Sequence, residues 1–199
     1  MPHSLAEHVE AGDDEAFDRT YTPAIRALSF LHWTSIAVAR RAAAFLAPVA
    51  GTRVLDIGCG PGKFCIVGAL TTSGRFTGIE RRPHLVDIAR KSLARAGIAD
   101  AEILGGDVVD LDFARFDAFY LFNPFAENIG EALPIDETVA LSSGRHADYI
   151  GHVATQLAAK PPGTRLATYW GACEEVPPAY RCVGGSADGA LKFWEKAGG

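Results

Sequence analysis

The residues Val-Leu-Asp-Ile-Gly-Cys-Gly-Pro-Gly occupy positions 54–62, where an apolar run of strand type leads into three glycines at alternate positions. Glycine lets the backbone turn sharply and approach a ligand closely, and the N–H groups that begin a following helix are free to bind it. The stretch therefore predicts a nucleotide-sized ligand at a strand-to-helix turn.

The glycine spacing differs from that of dinucleotide-binding proteins. The motif Gly-x-Gly-x-x-Gly requires a glycine at position 63, where this chain has lysine. Asp56 precedes the loop, and its carboxylate would repel a pyrophosphate by roughly 1 to 4 kcal/mol at contact distance but would attract an ammonium or sulfonium group. The loop thus favours a zwitterionic or cationic ligand. Alternatively, Asp56 only caps the N–H groups of the loop.

Composition limits the classes of protein to which this chain can belong. Its 199 residues fit one domain, and a net charge of −5 argues against a strong hold on the nucleic-acid backbone. The four cysteines lack the spacing of metal ligands, so we expect neither disulfides nor a metal site. Neither a membrane-spanning run nor a signal-peptide pattern is apparent, which favours a cytoplasmic location. The sequence does not indicate an oligomeric state.

Strand-like and helix-like segments alternate from position 53 onward. This alternation predicts an α/β fold with a doubly wound, mostly parallel sheet. The predicted strands are 53–58, 75–80, 101–105, 117–122 and 164–170, and the helices between them are 61–72, 83–97 and 145–160. After these, residues 179–183 and 191–195 flank a turn-rich stretch that predicts an antiparallel C-terminal hairpin.

The first fifty residues are predicted to be helical and to form a cap over a core made of residues 51–199, within a single domain 1–199. Residues 37–47 are alanine-rich and predict one helix, which Thr34 or Ser35 could cap. An acidic segment near 4–18 predicts another helix.

Polar residues stand at the carboxyl ends of four predicted strands, where ligands bind in open parallel sheets. They are Asp56, Glu80, Asp107 and Asn123. Glu80 has the spacing of an acid that accepts both ribose hydroxyls. Asp107 is placed to accept from the exocyclic amine of a base, and Val108 could cover the ring. Adenosine is therefore predicted, although an acid or asparagine at a strand end can also serve a turn or face solvent.

This set of strand ends resembles the class I S-adenosylmethionine-dependent methyltransferase family, over roughly residues 30–195. The resemblance implies a seven-stranded sheet whose seventh strand is antiparallel, N-terminal helices that close over the site, and S-adenosylmethionine as cofactor. The implied cofactor-binding residues are Asp56, Gly58, Cys59, Gly60, Gly62, Glu80, Arg81, Asp107, Val108 and Asn123.

Asn123-Pro124-Phe125 resembles the Asn-Pro-Pro-aromatic motif of amine and amide N-methyltransferases in this family. There the asparagine accepts a hydrogen bond from the nitrogen that is methylated. Phe125 stands here in place of the second proline, so the preference for a nitrogen acceptor is mild. His32 is the candidate general base; alternatively, it is a structural histidine of the N-terminal cap.

The sequence thus predicts a methyltransferase that acts on a small-molecule or protein acceptor, with Asn123 and His32 as catalytic residues. One alternative is a non-catalytic S-adenosylmethionine-binding module or partner subunit. Another is a nicotinamide-dependent oxidoreductase, which Lys63 and Asp56 oppose. Lys63 itself is expected either to contact the methionine carboxylate or to lie on a helix surface, and Tyr149 to face the sheet or solvent.

Overall fold

A seven-stranded sheet forms the centre of the structure, a computed structural model in which residues 4–198 are described. Its order is β3-β2-β1-β4-β5-β7-β6, for strands β1 (Arg53–Ile57), β2 (Arg75–Glu80), β3 (Ala101–Gly105), β4 (Ala118–Phe122), β5 (Arg165–Tyr169), β6 (Tyr180–Gly185) and β7 (Leu191–Lys196). Strands β1 to β5 pair in parallel, whereas β7 pairs antiparallel with both β5 and β6. The doubly wound α/β fold with an antiparallel C-terminal hairpin is confirmed.

Helices cover both faces of the sheet. They are α1 (Leu5–Ala11), α2 (Asp14–Asp18), α3 (Pro23–Ala27), α4 (Ser29–His32), α5 (Ile36–Leu46), α6 (Lys63–Thr71), α7 (Pro83–Ala96) and α8 (Ser143–Ala158). Ser35 caps α5, because its side chain accepts a hydrogen bond from the Val38 N–H. Helix α7 has proline at its start and ends at Gly97 in the left-handed conformation.

The predicted acidic helix near residues 4–18 is two helices. Gly12 has a φ of +70° and ends α1, so the chain turns before α2 begins. Helices α3 and α4 follow as single short turns that the sequence pattern does not separate. Helices this short are not stable alone, so packing against the rest of the protein must hold them.

The N-terminal helices share a hydrophobic core with one face of the sheet. Phe17 of α2 and Ile36 of α5 belong to the same buried cluster as Phe64 of α6 and Phe76 of β2. The other face packs α8 against residues such as Phe119 in a second cluster. Both faces are covered, so β1 is buried from Val54 to Ile57, and β4 is a continuous run of apolar and aromatic residues, as expected of buried parallel strands.

The strand order reverses between β1 and β4, which opens a crevice at their carboxyl ends. The long connection after β4, residues 123–142, contains a 3-10 turn at Ala126–Ile129 and crosses above this crevice toward the start of α7. No helix within residues 4–198 is both long and apolar enough to cross a membrane.

Candidate functional site

A cavity of about 870 Å³, counting its open mouth, lies at the carboxyl ends of β1, β2 and β4. Its walls come from the glycine loop, the ends of β2 and β4, the turn after β3, and the N-terminal cap. Sequence-predicted residues in the lining are His32, Gly58, Gly60, Glu80, Arg81, Asp107, Val108 and Asn123. Asp56, Cys59 and Gly62 are not in it. Within residues 4–198, no cluster of His, Cys, Asp and Glu is arranged to hold a metal ion.

The three loop glycines have left-handed φ angles, and protein neighbours occupy the space that their side chains would need. A Cβ atom at Gly58 would lie 2.7 Å from Cβ of Pro124, and one at Gly60 would lie 2.6 Å from the Trp33 ring. At Gly62 the neighbour is Ala89 of α7, at 3.0 Å. The glycines therefore allow the loop to pack under the cap and against α7, while the backbone of Gly58 and Gly60 still borders the cavity.

Glu80 lies at the end of β2 and is buried, with a side chain that borders the cavity. One carboxyl oxygen accepts a hydrogen bond from the Gly60 N–H at 3.1 Å, and the other accepts from the Arg82 N–H at 2.8 Å. Burial raises the pKa of this carboxyl. Each oxygen keeps a further lone pair, so the group can accept bonds from a diol while it holds the loop in place.

Asp107 follows β3 and takes part in a polar network in the wall of the cavity. The Tyr149 hydroxyl of α8 donates to its carboxylate at 2.9 Å, and Arg81 donates to the same hydroxyl oxygen at 2.9 Å. Val108 is buried beside it and presents an apolar surface to the cavity. Tyr149, expected to face the sheet or solvent, is buried in the cluster between α8 and the sheet, and it also lines the cavity and stacks on Phe125, with 4.9 Å between ring centroids.

Asp56 lies beneath the glycine loop, on the face of the sheet that packs against α6. Its carboxyl accepts a hydrogen bond from the Cys65 thiol at 3.5 Å, and burial raises its pKa to about 8. The Cys59 side chain is also buried there, where a Cβ atom at Gly78 would come within 2.6 Å of its sulfur. A side chain that is neutral near pH 7 and outside the cavity does not supply the negative charge that the sequence argument assigned to Asp56.

Asn123 follows β4 with a φ of 41°, a left-handed conformation that asparagine tolerates better than most residues. Its amide faces Gly171, the residue after Trp170 at the end of β5, where a Cβ atom would lie 2.9 Å from Asn123 Oδ1. The amide makes no hydrogen bond to any residue within 4–198. Asn123 lines the large cavity and also a second, smaller cavity on its other side.

His32 lies at the end of α4 and borders the large cavity. Its Nε2 atom is buried and lacks a hydrogen-bond partner among the described residues. Burial lowers the pKa of the ring. A neutral imidazole with an unsatisfied nitrogen at the cavity wall is compatible with a proton acceptor, and equally with a buried structural histidine.

Lys63 joins the glycine loop to the N-terminal cap. Its side chain is 3% exposed, and its Nζ atom lies 2.7 Å from Asp14 and 2.8 Å from Asp18 of α2. It also lies over the Phe17 ring, 5.0 Å from the centroid. Both sequence expectations for Lys63 are therefore wrong, because a buried ion pair uses the ammonium group that would otherwise meet a ligand or solvent.

Arg82 is a cavity residue that the sequence argument missed. It is buried at the start of α7, where it forms ion pairs with Glu127 at 2.7 Å and Asp136 at 3.2 Å. These contacts hold residues 126–136 across the cavity as a roof. The position of Arg82 two residues after Glu80 is the signal that the sequence offers, but its partners lie more than forty residues away in the sequence.

Comparisons with known proteins agree with this geometry. A family model described as "Methyltransferase domain" matches residues 48–143. No curated protein sequence matches the chain significantly. Among solved structures, an RNA methyltransferase from Salinibacter ruber in complex with S-adenosyl-L-homocysteine is 24% identical and has a TM-score of 0.58, covering 83% of this chain and 94% of that one.

Two further structures have the same fold. The putative methyltransferase yhhF from Escherichia coli is 15% identical with a TM-score of 0.60, covering 85% of this chain and 89% of that one. TrmN from Thermus thermophilus is 20% identical with a TM-score of 0.56, covering 79% of this chain, which spans 48% of the TrmN chain.

The chemistry of the cavity fits S-adenosylmethionine. Glu80 can accept from a sugar diol, Asp107 from an amine of a base, and Val108 offers an apolar surface for a ring. These carboxylates would repel a diphosphate, which agrees with the absence of a dinucleotide motif. The match to a methyltransferase-domain model at residues 48–143, together with the order of the strands, supports a class I S-adenosylmethionine-dependent methyltransferase.

Proposed function

We propose that the enzyme transfers a methyl group from S-adenosylmethionine to a nitrogen atom of a small-molecule or protein acceptor. The observation that carries the proposal is the cavity itself, which brings the glycine loop, Glu80, Asp107 and Asn123 to one switch point of the sheet. In this proposal Glu80 binds the ribose, Asp107 and Val108 bind the adenine, and the backbone of Gly58 and Gly60 borders the methionine part.

The chemistry asks little of acid or base groups. S-adenosylmethionine supplies an electrophilic methyl group: the acceptor lone pair forms the new bond to carbon while the carbon–sulfur bond breaks, and its electron pair stays on sulfur. The protein must align the acceptor and exclude water. Asn123 is the proposed positioning group, because its amide is free of other bonds at the wall of the cavity. His32 could take up a proton that the acceptor loses.

Nucleic acid is the less favoured acceptor. The Salinibacter ruber neighbour is an RNA methyltransferase, but at 24% identity that likeness speaks for the fold alone. This chain has a net charge of −5, whereas a protein that binds a phosphate backbone gains affinity from lysine and arginine. We therefore propose an acceptor without a polyphosphate backbone.

Turnover and cofactor binding together test the proposal. The protein should bind S-adenosylmethionine in a calorimeter and release S-adenosylhomocysteine when a panel of amines and amides is offered. Tight cofactor binding with no turnover on any acceptor class would favour the alternative, a non-catalytic module or partner subunit. Absence of cofactor binding would contradict both.

The role of Asn123 has its own test. Asn123→Gly keeps a backbone that tolerates the left-handed conformation but removes the amide. We expect turnover to fall by about tenfold or more while cofactor affinity changes by less than about twofold, since the lost contact acts on the acceptor. A variant that keeps the wild-type rate would remove Asn123 from the mechanism.

A further inference from the structure

A second cavity, of about 400 Å³ with its open mouth, lies on the far side of Asn123 from the cofactor cavity. Its walls are the segment Asn123 to Phe125, the first turns of α8, and the loop 170–175 that follows β5. The two cavities share Asn123, Pro124 and Phe125. A ligand in the second cavity would therefore lie against the residue that we propose positions the acceptor.

Glu175 is a buried carboxyl group in the wall of this second cavity. The residue is 9% exposed, and no other residue within 4–198 hydrogen-bonds or pairs with its side chain within ion-pair distance. Burial and the neighbouring Glu174 raise the pKa of the carboxyl, while a hydrogen bond from the residue's own backbone N–H and the nearby His146 and Lys192 act to lower it. Burying a carboxyl that has no partner on another residue is costly. A cation that entered the cavity would relieve this cost and favour the ionised form.

The remaining charges around the cavity do not supply that cation. Glu131 and Glu174 add two more carboxylates to the lining, and His146 is the one basic side chain among the residues that line it. Lys192 approaches from β7, but its Nζ atom lies 3.7 Å from the Cys173 sulfur and forms no ion pair with Glu175 in the described structure. The cavity is thus negative in character when the carboxyls are ionised.

An aromatic side chain completes the wall. Trp170 lines the cavity and is 57% exposed, so its ring is accessible to a ligand there. Its φ of 56° is left-handed, as are those of Asn123 and Cys173, and within residues 4–198 these three are the non-glycine residues with positive φ. All three line this cavity. An exposed tryptophan beside carboxylates is the combination that binds organic cations, through cation–π contact and charge.

We propose that the second cavity binds the acceptor, and that the acceptor is a small molecule with a protonated amine or guanidine held by Glu175 and Trp170. This inference rests on the proposed methyl transfer and narrows its substrate class. An acceptor held there by its cation would present its remaining groups to Asn123, in the wall shared with the cofactor cavity.

Calorimetry on the protein saturated with S-adenosylhomocysteine tests the proposal. The cationic probes are 1,4-diaminobutane, agmatine and phenethylamine, and the matched uncharged and anionic probes are 1,4-butanediol and succinate. We expect saturable binding of at least one cationic probe and none of the other two. The substitution Glu175→Gln, which keeps the shape and removes the charge, should weaken that binding by about tenfold or more.

Two further variants guard against a trivial result. Trp170→Gly removes the ring and places at this position a residue that tolerates the left-handed backbone. It should also weaken binding of the cationic probe. Glu102 is an exposed carboxylate on β3, away from both cavities, so Glu102→Gln should leave binding of the cationic probe unchanged. All variants should keep wild-type affinity for S-adenosylhomocysteine, which reports that the fold is intact.

The outcomes separate this inference from the proposed function. If the cofactor binds but no cationic probe does, or if Glu175→Gln binds the probe as well as the wild type, the cation site is overturned. Methyl transfer to an uncharged acceptor would also overturn it while leaving the methyltransferase proposal standing. Failure of S-adenosylmethionine itself to bind would instead remove the proposed function.

Discussion

The carboxyl group of Asp56 is buried beneath the glycine loop, where the Cys65 thiol donates to it. Its pKa is raised from 3.8 to about 8 by burial, so between these values the unfolded chain carries an ionised carboxylate and the folded protein a neutral one. Folding then takes up a proton. The unfolded state binds fewer protons, and the free energy of unfolding therefore falls as the pH rises through this window.

Replacement of Asp56 by asparagine removes this dependence, because the amide is a neutral group of the same shape. Between about pH 6 and about pH 8, the wild type should lose about 2–3 kcal/mol of unfolding free energy that Asp56→Asn retains. Urea unfolding at the two pH values measures the difference. Glu80, whose pKa is also raised by burial, is present in both proteins and contributes to both pH profiles. Parallel pH dependence in the two proteins would show that Asp56 is already ionised in the folded state.

The same variant tests whether Asp56 binds the cofactor directly. Since its carboxyl lies outside the cavity, we expect Asp56→Asn to bind S-adenosylmethionine within about threefold of the wild type, a change below roughly 0.7 kcal/mol. A loss of about tenfold or more would restore the role that the sequence suggested.

Glu80 should behave in the opposite way. If its carboxylate accepts the ribose hydroxyls, Glu80→Ala should weaken cofactor binding by at least about tenfold, or about 1.4 kcal/mol. Calorimetry with S-adenosylmethionine provides the measurement, and Glu102→Ala serves as a carboxylate control outside the cavity. Because Glu80 also accepts hydrogen bonds from two backbone N–H groups, the fold of the variant is checked by circular dichroism. Unchanged affinity in a folded variant would remove Glu80 from the site.

Among the elements, α2 and α6 are joined by an ion pair that is unusually well buried. Lys63 of α6 is 3% exposed, and its nearest charged partners are the carboxylates of Asp14 and Asp18. Asp14 also accepts a hydrogen bond from the backbone of Ile36 at 2.8 Å, which extends the contact to the start of α5. Helices α2, α5 and α6 thus meet at the Asp14 side chain.

Removing the lysine should leave the largely buried carboxylate of Asp18 without a cation to pair with. We expect Lys63→Met to lower the free energy of unfolding by about 3–5 kcal/mol, since breaking a buried pair from one side costs far more than breaking an exposed one. Arg19→Ala is the control: Arg19 pairs with Glu15 on the surface of α2, and its loss should cost about 0.5 kcal/mol or less. Similar losses in the two variants would contradict the assignment.

At the scale of the whole molecule, the cap and the sheet share one core. Phe17, Tyr21 and Trp33 of the cap belong to the hydrophobic cluster that contains Phe64 of α6 and Phe76 of β2. The Tyr21 hydroxyl also donates to the backbone oxygen of Pro61 in the glycine loop, at 3.4 Å. Such shared burial favours cooperative unfolding of cap and core.

A single unfolding transition is therefore expected. Far-ultraviolet circular dichroism and tryptophan fluorescence should give coincident thermal curves, and S-adenosylhomocysteine at about one hundred times its dissociation constant should stabilise the protein by about 2.7 kcal/mol. For a chain of this size each 1 kcal/mol shifts the midpoint by about 2–4 °C, so the expected shift is about 5–11 °C. Two separate transitions would mean that the cap folds as an independent unit.

Local sequence was sufficient for the elements whose signals are local. The core strands and α7 were predicted to within a residue or two because proline, glycine and apolar runs mark their ends directly. The polar residues at the strand ends could be expected to converge, since parallel strands bring their carboxyl ends to one edge. Glu80, Asp107 and Asn123 do converge on the cavity.

Contacts between distant segments were decided only by the tertiary structure. The sequence determined which residues stand at the strand ends, because that follows from the alternation of elements along the chain. It did not determine that Lys63 is buried against α2, that Arg82 holds the roof through Glu127, or that Asp56 lies below the loop. The physical reason is that burial and ion pairing depend on which faces meet in space, whereas turns and strand ends depend on residues that are neighbours in the chain.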